Sequence, residues 1–154
     1  MKKRRVFQLV ALLVTVSLTG CGDGRPSRVL VSGTVTIDGE PLKKGTVKFV
    51  PTGARASHGV IGSDGSFVMN CYEGGDGIVP GTHKVSVSSN KSMGPTAIKW
   101  FVPKKYTSHH TSGIEYTIEE DQPDLKIELT WEGAAHKKPY VVGHNPTSAE
   151  YLEE

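Results

Sequence analysis

The sequence contains little cysteine and no long hydrophobic run. Cys21 and Cys71 are its two cysteines in 154 residues, so a framework of several disulfides, of the kind that holds many small secreted domains together, is excluded. The mostly apolar segment at residues 6–18 is shorter than the ~20 residues that a membrane-spanning helix needs. The chain must therefore fold around an ordinary apolar core, and its short apolar segment needs another explanation.

A short apolar segment between a basic head and a cysteine is typical of a bacterial export signal. Residues 2–5 read Lys-Lys-Arg-Arg, and residues 18–21 read Leu-Thr-Gly-Cys. The second group resembles the lipobox of bacterial lipoproteins. This resemblance predicts a signal helix at residues 1–20, cleavage between Gly20 and Cys21 by the lipoprotein processing machinery, and acyl chains such as palmitate on Cys21. The alternatives are an ordinary secretory signal with a chance cysteine and an uncleaved anchor helix.

Lipidation at Cys21 would change the meaning of the composition. Acyl chains contribute ~0.8 kcal/mol per buried CH₂, so two or three of them would hold a domain on a membrane through residues 21–28, which we expect to form a flexible tether. Removal of residues 1–20 takes away four basic side chains and no acidic ones, leaving 14 basic against 16 acidic and a net charge of −2. A nucleic-acid partner is therefore not expected.

The same prediction gives a location. A lipidated Cys21 places the protein at the cell envelope, anchored to a membrane and facing the periplasm or the exterior. Gly22 stands where some lipoproteins carry the aspartate that retains them at the inner membrane, which favours the outer membrane. Cys71 would then be the one remaining thiol, and no internal disulfide is expected.

After residue 28 apolar and polar residues alternate, which is typical of half-buried strands. The alternating segments lie at residues 29–37, 46–50, 82–88, 114–118 and 125–131. A hairpin is predicted at residues 58–70, because the turn-forming sequence Gly-Ser-Asp-Gly at 62–65 separates two apolar stretches. About seven short strands in about a hundred residues would bury their apolar faces as two sheets packed face to face.

We therefore predict one all-β domain at residues 29–131, an antiparallel two-sheet β-sandwich with no convincing amphipathic helix. Residues 90–112 are predicted to be a long connection. Residues 132–154 contain Gly and Pro and little periodicity, so they are expected to be a loosely ordered C-terminal tail, with residues 140–142 as an optional edge strand.

Several motifs resemble a known family. "VSGTVTIDGEPLKKGTVKFVP", "GSDGSFVM" and "GIVPGTHKVSV" resemble the carboxypeptidase-regulatory-like, or transthyretin-like (prealbumin-type), domain. With "VPKKYTSHHTSGIEYTIEE" and "DLKIELT", the chain is similar to small lipoproteins of planctomycete bacteria. His83 departs from the aromatic residue that is usual at its position. The resemblance implies a non-catalytic module that aids folding, stability or contact with partners.

No catalytic or metal-binding arrangement is predicted. The enzyme of the superfamily, a hydroxyisourate hydrolase, ends in Tyr-Arg-Gly-Ser, whereas this chain ends in Glu-Tyr-Leu-Glu-Glu. The sequence lacks a Gly-x-Ser-x-Gly elbow and a phosphate-binding loop. Its histidines are not spaced as a convergent ligand set. Asp38, Asp64 and Asp76 each precede a glycine, a pattern that turn formation explains. We expect no enzyme activity, no metal and no cofactor.

Three aromatic residues in the long connection are the candidate ligand contacts, namely Trp100, Phe101 and Tyr106. They could cap the open end of the sandwich, or they could be exposed and stack on a sugar ring or meet a partner. Two functions follow. The first is a structural or protein-interaction module of the cell envelope. The alternative is a carbohydrate- or peptide-binding envelope module that uses the loop around Trp100.

Overall fold

The computed structural model describes residues 24–143, and within this range the fold is all-β. The predicted signal helix, Cys21 and residues 144–154 lie outside the described residues. One short 3₁₀ helix covers Lys104–Thr107. The strands are β1 (Val31–Ile37), β2 (Glu40–Pro41), β3 (Gly45–Pro51), β4 (Ser57–Ile61), β5 (Ser66–Val68), β6 (Gly81–Ser88), β7 (Asn90–Ser92), β8 (Ile98–Trp100), β9 (Ile114–Ile118), β10 (Gln122–Leu129) and β11 (Tyr140–Val142).

The first sheet is built around β1. Strand β10 pairs with one edge of β1, and β2 and β5 pair with the other edge. The pairing of β1 with β10 is parallel, from Gly33 opposite Leu125 to Ile37 opposite Leu129. The sequence analysis predicted an antiparallel arrangement throughout, and the parallel β1–β10 pair shows that this part of the prediction was wrong. Alternation predicts which face of a strand is buried, and that pattern is the same for parallel and antiparallel neighbours.

The second sheet is antiparallel and has the order β4-β3-β6-β9. Its inward side chains follow the predicted alternation, because Val47 and Phe49 on β3 and Val85 and Val87 on β6 are fully buried. Val47 lies opposite Val87, and Phe49 lies opposite Val85. These register pairs stack apolar side chains on one face of the sheet, which is the unit from which sheets gain stability.

The two larger sheets share one apolar core. Val31, Val35 and Ile127 of the first sheet belong to the same buried cluster as Phe49 and Val85 of the second. The prediction of an all-β domain in which each main strand buries one face is therefore confirmed.

The predicted hairpin at residues 58–70 is half correct. The turn at 62–65 is present, since Gly62 N donates to Ser66 O at 2.8 Å and Gly65 N donates to Gly62 O at 3.1 Å. Its two arms also meet at their ends, where His58 and Asn70 form an antiparallel bridge with backbone hydrogen bonds of 2.9 and 2.8 Å. Between these points, however, the arms join different sheets: β4 pairs with β3, whereas β5 pairs with β1. The turn therefore carries the chain from one layer to the other, which turn chemistry alone does not reveal.

A third, smaller sheet has the order β11-β8-β7 and is antiparallel. Its strands β7 and β8 lie within residues 90–112, so the region predicted as a long connection is strand in part. The optional edge strand at residues 140–142 is present as β11, and the ring of Tyr140 is buried against Trp131. The ordered part of the fold thus extends beyond residue 131.

The strands run between two ends of the molecule, which we call the tether end and the far end. At the tether end Val29, just before β1, exchanges two backbone hydrogen bonds of 2.9 Å with Ile78. At the far end β1 finishes at Ile37, beside Ser89 and Trp131. A seven-residue strand at about 3.3 Å per residue separates the two ends by roughly 20 Å.

Candidate functional site

The structure places the three candidate aromatic residues in three different environments. Trp100 lines an open groove, Phe101 lines a separate apolar pocket, and Tyr106 lies in the core. Trp100 is the last residue of β8 and Phe101 directly follows it, yet the two cavities that they line have no residue in common. The three residues therefore do not form one stacking surface. Both cavities lie at the far end of the molecule.

The groove beside Trp100 is formed by one face of the third sheet. Trp100 lies opposite Asn90 on one side and Tyr140 on the other, while Ile98 lies opposite Ser92 and Val142. The groove has a volume of 580 Å³. Ile98 and Val142 are 41% and 51% exposed and supply apolar walls beside the partly exposed indole of Trp100.

Polar groups of the same groove come from Asn90, Ser92 and Lys104. A flat aromatic ring next to amide, hydroxyl and ammonium groups can bind a ligand that has one apolar face and several hydrogen-bonding groups. Sugars and short peptides have this character. The groove is therefore compatible with a ligand that stacks on the Trp100 ring.

Tyr106 is not available for stacking. Its ring is 6% exposed and belongs to the core cluster, and its hydroxyl accepts a hydrogen bond of 3.3 Å from the backbone N–H of Thr130. The 3₁₀ helix that carries Tyr106 begins directly after Pro103, a residue that cannot donate a backbone hydrogen bond. Tyr106 thus packs in the domain interior.

The pocket that contains Phe101 lies between the β1–β2 turn and the start of the third sheet. It has a volume of 440 Å³ and includes Leu42, Trp131 and Pro139 among its walls. Phe101 also makes cation–π contacts with two lysines, since the ammonium groups of Lys44 and Lys99 lie 4.0 and 5.7 Å from its ring centroid. This pocket was missed in the sequence because it joins residues from distant parts of the chain.

The tether end carries a cluster of arginines that the sequence analysis also missed. Arg25, Arg28 and Arg55 lie 5.0, 5.2 and 5.0 Å from the centroid of the Tyr72 ring. Arg25 forms an ion pair of 2.7 Å with Glu73. The second half of the predicted tether therefore rests on the domain surface.

Asp76 organises the same region. Its carboxylate accepts backbone hydrogen bonds from Cys71 at 2.6 Å and Tyr72 at 3.0 Å, and it pairs with Arg28 at 3.2 Å. Desolvation raises the pKa of Asp76, but these hydrogen bonds and the charge of Arg28 outweigh it and hold the pKa below its ordinary value. Asp64 accepts two hydrogen bonds from Ser66 within its own turn. Asp38 instead accepts hydrogen bonds from the Thr130 hydroxyl and the Trp131 N–H, and it links the β1–β2 turn to the segment after β10.

The histidines of the described region do not converge. His109 and His110 have ring centroids 3.9 Å apart, but no group of three or more His, Cys, Asp or Glu side chains at residues 24–143 could hold a metal ion. His83 is fully buried, and its Nε2 lies 2.8 Å from the carbonyl oxygen of Val79. Desolvation lowers the pKa of His83. The ring thus fills the position as an aromatic residue would, in edge contact with Phe49.

Comparison with known proteins finds no matching family model, no matching curated protein and no matching solved structure. Between residues 24 and 143 no helix is long and apolar enough to cross a membrane.

Proposed function

We propose that this protein is a lipid-anchored component of the bacterial cell envelope whose β-domain is a non-catalytic module for contact with a partner. The sequence Leu-Thr-Gly-Cys at residues 18–21 supports an anchor at Cys21. The shared core of two sheets is compatible with a carboxypeptidase-regulatory-like, or transthyretin-like, sandwich. The parallel pairing of β1 with β10 and the third sheet are additions to a plain antiparallel sandwich.

One observation carries this proposal: the tether and the open groove lie at opposite ends of the domain. Arg25 and Arg28 are held against Tyr72, Glu73 and Asp76. Four Cα–Cα steps therefore remain between Cys21 and the first anchored residue, a reach of at most about 14 Å. Lipid at Cys21 would keep the tether end close to the membrane and turn the far end toward the envelope space.

The far end has the chemistry of a contact surface. Met93, Ile98 and Val142 are apolar and between 41% and 51% exposed. Ile98 and Val142 are register partners on neighbouring strands, so their side chains form one continuous apolar surface beside Trp100. Exposed apolar groups that cluster in this way are typical of protein interaction sites.

Site-specific photo-crosslinking in living cells tests this arrangement. Val142 at the far end and Val68 near the tether end are 51% and 53% exposed, so a crosslinking residue at position 68 is a matched control for one at position 142. We expect one reproducible envelope protein to be captured from position 142, not from position 68, and to be lost when Cys21→Ser removes the anchor. Capture from both positions alike, or capture that persists in the Cys21→Ser chain, contradicts the proposal.

The groove at Trp100 supports a second candidate, which is the binding of a glycan or peptide. It combines a partly exposed indole with Asn90, Ser92 and Lys104 in one cavity. Stacking on an aromatic ring depends on the ring more than on its polar atom, so Trp100→Phe should keep most of the binding and Trp100→Ala should lose it. Glycan and peptide arrays probed with both variants separate the candidates, and equal signals from the two variants would exclude stacking at Trp100.

A further inference from the structure

The pocket beside Phe101 combines an apolar interior with positive charge at its rim. Leu42, Phe101, Trp131 and Pro139 contribute to a cavity of 440 Å³. Small-molecule sites in proteins typically have volumes of about 300 to 1,000 Å³ and mostly apolar walls. The cavity is therefore large enough to bury a small organic ligand.

The charge at this rim is of one sign. Lys43 and Lys44 line the pocket, and no acidic side chain is among its lining residues. Within the described part of the chain neither ammonium group forms an ion pair with a carboxylate. Lys44 instead lies over the face of the Phe101 ring, 4.0 Å from its centroid. The rim thus offers two cations to a negatively charged group that enters with its apolar part inward.

A buried hydroxyl group adds a third, independent feature. Ser89 lines the same pocket and is 1% exposed, yet its Oγ has no hydrogen-bond partner among the described residues. A buried polar group without a partner costs stability, so such groups in native proteins are uncommon and need an explanation. Ser89 lies close to Gly45, the residue after Lys44: a Cβ on Gly45 would be 3.0 Å from that of Ser89. Ser89 and Lys44 thus both line this pocket.

We propose that this pocket binds a single-chain amphiphile with an anionic head group, of which a medium-chain alkyl carboxylate is the simplest form. The alkyl chain lies between Leu42, Phe101 and Trp131. The head group lies at Lys43 and Lys44 and accepts a hydrogen bond from Ser89 Oγ. This site is separate from the Trp100 groove and from the proposed partner surface, since the two cavities share no lining residue.

Tryptophan fluorescence gives a direct test. The chain has two tryptophans, so Trp100→Phe leaves Trp131, a residue of the pocket wall, as the one reporter. Dodecanoate, added below its micelle concentration, should shift the emission of Trp131 in a saturable way. Decanoate should bind more weakly, by about fourfold for each methylene no longer buried. Dodecanol and dodecyltrimethylammonium at equal concentration should bind at least tenfold more weakly than dodecanoate.

Two further variants test the head-group contacts. Lys43→Gln combined with Lys44→Gln should weaken dodecanoate binding by tenfold or more. Lys48→Gln combined with Lys84→Gln removes the same charge from exposed positions outside this pocket and should leave binding unchanged. This comparison separates a local contact from a general effect of net charge.

Ser89→Ala distinguishes a contact with the ligand from a purely structural role of the hydroxyl group. Removal of an unpartnered buried hydroxyl should leave the melting temperature unchanged or raise it, whereas dodecanoate binding should fall by about tenfold. The proposal is overturned if dodecanol binds as tightly as dodecanoate, if the Lys43 and Lys44 variants bind normally, or if Trp131 does not respond. None of these outcomes depends on whether a protein partner is captured at Val142.

Discussion

Gly33 is the position at which a single methyl group should do the most damage to the fold. It is buried in β1, opposite Leu125 of β10. A Cβ at this position would lie 1.9 Å from the carbonyl oxygen, 2.7 Å from the carbonyl carbon and 2.9 Å from the nitrogen of Leu125. These are backbone atoms of a paired strand, so relief requires that β10 move away from β1.

The expected cost of Gly33→Ala follows from that displacement. Forcing a methyl group into a packed interior costs about 1 to 3 kcal/mol, and each ladder hydrogen bond that is weakened adds about 1 kcal/mol. We expect a loss of about 3 kcal/mol in the free energy of unfolding, from a total that is about 5 to 15 kcal/mol for a domain. At about 4 °C per kcal/mol for a domain of this size, the melting temperature should fall by about 12 °C.

Two glycines provide matched controls for this measurement. Gly74 has no neighbour within 4 Å of its notional Cβ and no positive φ, so Gly74→Ala should change the free energy of unfolding by less than about 0.5 kcal/mol. Gly39 has equally open space but a φ of 86°, so Gly39→Ala should cost about 1 kcal/mol through backbone strain alone. Urea unfolding followed by tryptophan fluorescence gives all three values. A Gly33→Ala chain as stable as the Gly74→Ala chain would refute the close parallel pairing of β1 and β10.

Three further predictions concern the core and the tether end. Asp76→Asn should cost about 2 kcal/mol at pH 7, because it removes a carboxylate that accepts two backbone hydrogen bonds and pairs with Arg28. Because the pKa of Asp76 is lowered in the folded state, the difference in stability between wild type and Asp76→Asn should disappear as the pH falls below 3.8. A difference in urea midpoints that stays constant down to about pH 2 would contradict the role of the ionised carboxylate. Burial lowers the pKa of His83, so the wild type should lose stability as the pH falls below 6.5, because the unfolded state gains a proton there and the folded state does not. The melting temperature of His83→Phe should depend less on pH. Parallel curves of melting temperature against pH for the two chains would contradict this. Urea unfolding of Tyr106→Ala should show a free energy of unfolding lower by about 4 kcal/mol, because Tyr106 lies in the core. Trp100→Ala should lose less than about half as much, because Trp100 lines an open groove. Equal losses would contradict these placements.

The sequence predicted the local features of the fold well, because local chemistry determines them. Alternation identified the buried faces of β1, β3 and β6. Gly33 and Gly45 belong to the first motif of the family resemblance, and a notional Cβ on either would lie within 3.0 Å of a backbone atom. Turn residues at 38–39 and 62–65 also lie in turns.

The pairing of strands was less accessible to sequence analysis. Strand direction does not change the alternation of β10, so its parallel pairing with β1 could not be inferred from that pattern. The turn at residues 62–65 is compatible with a hairpin and with a change of sheet. Strands β7 and β8 have three residues each, Asn-Lys-Ser and Ile-Lys-Trp, which is too short for a periodic signal.

The candidate site was predicted in part. The region around Trp100 was identified, but the sequence did not separate Trp100 from Phe101, because β8 is too short to show which way each side chain points. The second pocket was out of reach, because it unites Leu42, Ser89, Phe101 and Trp131, which are far apart in sequence. The arginines around Tyr72 were missed for the same reason.

The lipid at Cys21 is the claim on which the orientation of the whole molecule depends. Intact-mass and peptide mass spectrometry of the protein purified from native membranes measures it directly. The account predicts a mature chain that begins at Cys21 with a diacylglyceryl group on the sulfur, and a Cys21→Ser chain that lacks this group. A native chain with an unmodified thiol at Cys21, or one that still carries residues 1–20, would contradict it.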